Sequence, residues 1–410
     1  MPRSLSRQVA LLRTASGFRS LFVATVGSAL GTWMATIALT VDIQRRTHSP
    51  WWISAIWLAT LVPSVLIGLF AGPLVDRFPR KRLLIGADLV RLVIFALLPF
   101  VHGAAAIVAL AGIAGIANSF FRPAVLAGVP NLVPEDELAN GTSLLQTADW
   151  GAAAVGPVIA GALIGVSGPH VVYWINAATF LFSALMILRI SGSLLQSEQG
   201  ITRGYWRDVR DGISEFGRSR PLLTTLLALG CAVVATGFVN VSEIFLATKT
   251  LHSGALGYGL LWSGSGLGLV IGSIAVGGFL ANRSPLSIYP YAFVPWALGA
   301  ILAGISPNIG LAAAAMLLSG FGNGLTFPIT LVIIQRAAQD RIRGRVFAVI
   351  ISTHNALLGV AYVAGGALTE AYGARWAYGA ASALIFAGGL TAFALTRGAG
   401  EVAVGQQQAA

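Results

Sequence analysis

The stretch Gly72-Pro73-Leu74-Val75-Asp76-Arg77-Phe78-Pro79-Arg80-Lys81-Arg82 joins two long apolar runs, residues 52–75 and 83–101. About 20 apolar residues are what a helix needs to cross the hydrocarbon of a bilayer. Four cations crowded into the joint suit the lipid headgroups on the cytoplasmic side. Gly72 permits close helix packing, and Asp76 can cap a helix or pair with a cation on a neighbouring one. The segment predicts a tight inside loop between two membrane spans.

Further runs of spanning length lie at 20–43, 104–129, 142–166 and 170–190, which makes six in the first half. A polar stretch at 191–221 intervenes, and six more follow at 222–247, 256–281, 286–305, 308–334, 345–371 and 374–396. The composition agrees: 56% of residues are hydrophobic and 10% charged, too few charges to build a water-facing surface. The predicted fold is an all-α integral membrane protein of twelve transmembrane helices.

The formal net charge of +11 raises nucleic acid as a partner. The placement of the cations argues against it and for topology. With the N-terminus inside, twenty-one of the 26 Lys and Arg fall on the cytoplasmic side. Arg45, Arg46, Lys249 and Arg375 lie outside, and Arg91 lies within a span. The expectation is a multi-pass protein of the plasma (inner) membrane with both termini cytoplasmic, a lipid bilayer as solvent, no nucleic acid and a monomeric state. Residues 1–19 lack the short apolar core and cleavage site of a secretory signal and are expected to be a retained tail.

The halves carry a faint internal repeat. Gly72 to Arg77 is matched by Gly278-Phe279-Leu280-Ala281-Asn282-Arg283, and Pro123 by Pro328, 205 positions later. Residues 1–190 and 222–410 therefore read as two six-helix parallel repeats, with a substrate site near the bilayer midplane. Residues 191–221 form the cytoplasmic linker. Apolar residues at 206, 209, 213 and 216 predict an amphipathic helix in it, tying the halves together along the inner leaflet.

The 72–82 loop closely resembles the loop signature of the major facilitator superfamily. The resemblance implies a conformational latch made of Gly72, Asp76, Arg77, Arg80, Asp88 and Arg91 that holds the two halves in the outward-facing state. In the fifth span, Ala152, Gly156, Pro157 and Gly161 form a helix-packing groove similar to the superfamily's antiporter signature, although alanines replace two of its glycines. Asp88 to Arg91, Phe120-Phe121-Arg122-Pro123-Ala124, Trp174 to Phe180 and Arg341 to Phe347 resemble the macrolide efflux and enterobactin exporter subgroup. Relatives in that subgroup often carry an Asp before the first-span tryptophan. Here the pair is Thr32-Trp33, so no coupling role carries over to that position.

An ionisable residue inside a span costs roughly 2.5–3.5 kcal/mol on insertion scales and so asks for a partner or a task. Asp88 and Arg91, three apart, are expected to pair with each other or with Asp76. Asp149, two turns into the fifth span, either meets Arg91, Arg122 or the latch arginines, or carries a proton. Asp42 and Glu243 each lie 23 residues after an arginine, Arg19 and Arg220. At about 1.5 Å per residue that offset spans the bilayer, so external water is expected to solvate both acids. Glu243 is alternatively a proton or cationic-substrate site. Asp149, Glu243 and Asp42 are thus the coupling candidates. His354 and Asn355 read as satisfied core residues. Trp33, Trp150, Trp262, Trp296 and Phe327 either line a cavity or anchor at the membrane interface.

Lys81 and Lys249 are the only lysines, and neither follows a phosphate-cradling glycine loop, so a nucleotide-driven pump is excluded. Five scattered His and the single Cys231 supply no metal cluster. No catalytic constellation, cofactor-binding motif or metal site is expected, and the chain does not read as an enzyme. The expected function is a secondary active transporter exporting a small amphipathic molecule, such as a drug, antibiotic or siderophore, with protons as the coupling ion. An uptake facilitator of a small metabolite is the alternative.

Overall fold

The computed structural model describes residues 8, 10–77, 79–191, 216, 219–280, 283–338 and 340–397, with the backbone alone at 68–77, 279, 340–342 and 397. Twelve long helices follow in order: α1 (Ser16–Thr47), α2 (Pro50–Arg77), α3 (Arg80–Leu97), α4 (Ala104–Gly128), α5 (Leu138–Ser167), α6 (Pro169–Leu188), α7 (Arg220–Phe245), α8 (Gly254–Leu280), α9 (Pro285–Ile305), α10 (Ile309–Ala337), α11 (Asp340–Tyr372) and α12 (Ala374–Arg397). Each contains a stretch long and apolar enough to cross a membrane. Their ends differ from the apolar runs by at most five residues, mostly because polar residues continue a helix past its apolar core. No strand occurs among the described residues.

The chain divides into two compact units, residues 1–202 with 254–259, and residues 203–253 with 260–410. Each is built by the same pairing. In the first, α1 packs on α5 and α6, α3 on α4 and α6, and α2 on α4. In the second, α7 packs on α11 and α12, and α9 on α10 and α12, while α8 lies against α10. The turns repeat too. His48 and His252, both left-handed, end the first helix region of each unit, and Gly168 and Gly373, both at positive φ, turn the fifth helix into the sixth. The histidines are 204 positions apart and the glycines 205, the register of Pro123 and Pro328. Pro123 and Pro328 both lie inside helices.

The expected inside loop is shorter than the sequence suggested. The α2 backbone stays helical through Arg77, and α3 begins at Arg80, directly after Pro79. Pro79 lacks an N–H and suits the position before a helix. The side chains of Gly72, Asp76 and Arg77, together with Phe78, lie outside the described residues, as does the expected linker helix apart from Phe216. Two cations of the cluster do something other than meet headgroups. The Arg80 guanidinium donates to the carbonyl of Ala127 at 2.7 Å, and Lys81 Nζ to those of Leu188 and Ile190 at 2.8 and 2.6 Å. Both satisfy carbonyls at helix C-termini that have no partner within the helix, where a cation also meets the negative end of the helix dipole.

The closest glycine seam lies in the second unit. Gly264, Gly268 and Gly272 on α8 recur every four residues against the backbone of α10 at Ala313, Leu317 and Phe321, and Gly320 and Gly324 of α10 return the contact against Ser265 and Leu269. In a bilayer, where lipid is as apolar as any side chain, such small-residue approach holds helices together. A Cβ at Gly268 would meet the Leu317 carbonyl oxygen and the Phe321 nitrogen, whereas one at Gly277 meets nothing. We expect Gly268→Ala to destabilise the protein by about 1–3 kcal/mol. Gly277→Ala, which gains helix propensity, should be neutral or slightly stabilising. Thermal unfolding of the two purified variants checks the opposite signs.

Candidate functional site

A recess of about 290 Å3 opens among α1, α2, α3, α4 and α5 of the first unit. Helix periodicity assembles it. Thr25, Ser28, Thr32 and Thr36 share one face of α1, while Thr142, Gln146 and Asp149 share one face of α5. The threonine hydroxyls are spent inside the helix. Thr25, Thr32 and Thr36 donate to the carbonyls of Leu21, Ser28 and Thr32 at 2.9, 2.7 and 3.0 Å. They leave oxygen lone pairs toward the recess, which suits a guest bearing N–H or O–H groups.

Asp149 is the one acid among the described residues that line this recess. Its Oδ1 accepts from the Trp33 indole at 3.3 Å, and its Oδ2 stands 3.6 Å from Arg122 Nη2. The arginine side chain is 65% exposed and the aspartate 29%, so the pair is open to the recess and each partner can be drawn away. Below it, Arg91 Nη2 donates to Asp88 Oδ1 at 2.6 Å, with both side chains buried. The rings of Phe121 and Phe180 each lie 4.3 Å from the Arg91 guanidinium carbon, and Nη1 reaches Asn118 Oδ1 at 3.4 Å. The Asp88 and Arg91 pair is thus an internal one made on α3.

The other two acids differ from the sequence expectation. Asp42 is 4% exposed and not solvated: Arg46 binds it through Nε at 2.7 Å and Nη2 at 3.2 Å, and the Tyr173 hydroxyl donates at 3.0 Å. Glu243 is 2% exposed, and its Oε1 has no hydrogen-bond partner among the described residues. Counting residues along a helix measures depth in the membrane but not coverage by neighbouring helices. That coverage buries both acids. Asp149 alone of the three candidates faces the recess.

The remaining candidates are dispersed. His354 is exposed on α11 and Asn355 half-buried, contrary to the expectation of satisfied core residues. Trp33 lines the recess, Trp296 belongs to the core of the second unit, and Phe327 is 49% exposed. Trp150 and Trp262 are half-buried. In the α5 groove Ala152 and Pro157 are buried and Gly156 touches α1, where a Cβ would stand 3.1 Å from that of Trp33. A Cβ on Gly161 would come 2.6 Å from the Ala255 carbonyl oxygen, in the same compact unit. The sequence reading missed Trp57, Asn118, Gln146 and the α1 hydroxyl face. The spacing of 25, 28, 32 and 36 in an otherwise apolar run was the signal for that face. No cluster of metal-ligating side chains occurs among the described residues.

Twelve spans in two matching units, one of them holding a polar recess within its helices, define a polytopic membrane protein. The Major Facilitator Superfamily profile matches residues 21–286 and 226–408, and the chain belongs to that superfamily. The chain is 27% identical over 386 residues to the multidrug efflux pump Tap of Mycobacterium tuberculosis, covering 91% of each protein. It is 26% identical over 346 residues to the enterobactin exporter EntS of Citrobacter koseri, covering 82% of each. Among solved structures it is similar to the nucleoside transporter NupG, with a TM-score of 0.76 and 13% identity over 93% of this chain and 99% of that one. The twelve-helix major facilitator fold and the transporter class expected from the sequence hold.

Proposed function

We propose that the chain is a proton-coupled exporter of a small amphipathic molecule, working by alternating access at the plasma membrane with both termini in the cytoplasm. The observation that carries this reading is Asp149, an acid open to the recess and held by an ion pair loose enough to exchange. Protonation of Asp149 removes the charge that holds Arg122, and a guest in the recess competes for the same groups. Binding of proton and guest at one site is what exchange in opposite directions needs. The similarity to Tap, a multidrug efflux pump, and to EntS, an enterobactin exporter, supports the outward direction. The buried small residues of α5 support the antiporter resemblance, and the Lys and Arg asymmetry supports the orientation. The latch role of Gly72, Asp76, Arg77, Arg80, Asp88 and Arg91 belongs to the same proposal, as does a monomer of two six-helix halves joined at 191–221.

The test is efflux of ethidium, a fluorescent amphipathic cation, from cells expressing the chain, with and without a protonophore. Export above the empty-vector rate that collapses with the protonophore is the expected result. Export indifferent to the protonophore removes proton coupling, and accumulation in place of loss reverses the direction to uptake.

A further inference from the structure

Beside the polar recess lies a second cavity of about 160 Å3 in the same unit. The two share Thr32, Thr36, Trp57, Arg91 and Asn118 as walls, so they form adjoining compartments. The character changes across that boundary. The second compartment is walled on one side by Leu39, Ile56, Phe95 and Phe180, and its room comes from small residues of α4, namely Ala111, Ala114 and Gly115. Gly115 lets α4 approach α2, where a Cβ would stand 3.3 Å from the Thr60 Cα. The one charge in its wall, Arg91, is paired with Asp88 and covered on its guanidinium by two aromatic rings.

An apolar cavity of about 150 Å3 lined by Leu, Ile and Phe stays dry and binds benzene. The compartment here has about that volume, and its apolar end is made by Leu39, Ile56, Phe95 and Phe180, while Thr32, Thr36, Thr60, Trp57, Arg91 and Asn118 form a polar side. The boundary adds a polar requirement. A guanidinium can only donate, so the Asn118 oxygen is the atom that faces Arg91. The Asn118 amide NH2 is then left without a partner among the described residues, on a side chain that lines both compartments.

We infer that the apolar compartment is a subsite for one aromatic ring of the transported molecule, with Asn118 donating to a carbonyl or hydroxyl oxygen where ring and polar portion join. The substrate class is a bipartite molecule: a hydrogen-bonding portion in the larger recess, an oxygen acceptor at the junction and a single compact ring in the annex. Ala114 and Ile56 set the size of ring accepted. The inference rests on the export reading only for what carries the ring.

Cys231 is the sole cysteine, so a Cys231→Ser background gives a clean full-length chain for labelling. In that background Ala114→Cys places a thiol in the annex, and Ile113→Cys places one on the exposed side of the same helix, where Ile113 is 46% exposed. Benzyl and methyl methanethiosulfonate are reacted with each in membranes, and the adducts are read by intact mass. The ratio of benzyl to methyl labelling rates at position 113 reports partitioning into lipid. We expect the ratio at position 114 to exceed it severalfold, because a cavity of the ring's own size gives it close packing contacts that fluid lipid does not. Adding Ile56→Phe, which fills the annex, should reduce the ratio at 114 to that at 113. Equal ratios at the two positions, or a ratio at 114 unmoved by Ile56→Phe, overturn the subsite. Labelling needs no transport, so a failure of the annex is distinct from a failure of export in the ethidium experiment.

Discussion

Asp149→Asn should leave the protein folded and able to exchange substrate across the membrane, yet unable to concentrate it. In inside-out vesicles with an acidic lumen, the native chain drives substrate inward as protons leave. With one proton exchanged per substrate and no net charge moved, one pH unit is worth about 1.4 kcal/mol, or about a tenfold concentration ratio. An amide cannot carry the proton, so the ratio should fall to one. The fold should survive. The amide oxygen still accepts from the Trp33 indole, as Oδ1 now does at 3.3 Å. The lost ion pair joins two partly exposed groups 3.6 Å apart, a class worth about 0–1 kcal/mol. Exchange of labelled for unlabelled substrate at equal pH separates the outcomes. Retained exchange with lost concentration assigns the proton to Asp149. An undiminished ratio excludes Asp149 and turns the same assay to Glu243→Gln, since Oε1 of that buried acid has no hydrogen-bond partner among the described residues.

The parts of the fold legible in the sequence are those fixed by the solvent. A helix must span the hydrocarbon and satisfy its own backbone, so the apolar runs located all twelve helices. The Asp88 and Arg91 pair was legible for a local reason, because three residues on a helix share a face. What depends on contact between distant segments was less so. Asp42 was read as water-facing because nothing in its own stretch announces that Tyr173, 131 residues away, covers it. The choice of Arg122 as the partner of Asp149 rested on how α4 and α5 are placed, and three cationic groupings were open. The recess itself is spread over five helices, and a single run shows at most one wall of it. The α1 hydroxyls at 25, 28, 32 and 36 were that wall, hidden because each threonine in a span also reads as tolerated when its hydroxyl bonds back to the helix.

Arg91→Met should strongly destabilise the first unit, and Asp88→Leu added to it should restore the fold. Arg91 is 3% exposed and Asp88 0%, so removing the arginine leaves a carboxylate buried with Oδ1 stripped of its charged partner and Oδ2 without a geometric hydrogen bond among the described residues. Breaking a buried pair from one side costs about 3–5 kcal/mol. Total stability in proteins is only about 5–15 kcal/mol. Methionine is the informative replacement because its thioether can occupy the space between the Phe121 and Phe180 rings and contact both. The loss then reports the stranded charge and not a cavity. Removing both charges at once with apolar groups of similar bulk is close to neutral in other buried pairs. The double variant should therefore recover membrane abundance and unfolding midpoint to near those of the native chain. If it stays as unstable as Arg91→Met, the bond to Asn118 or the packing of the guanidinium carries the energy, not the charge pair. Transport by the recovered double variant then isolates function from folding. A folded chain that binds ethidium but does not move it would place the Asp88 and Arg91 pair in the conformational cycle, whereas native rates would confine the pair to holding α3 in the bundle.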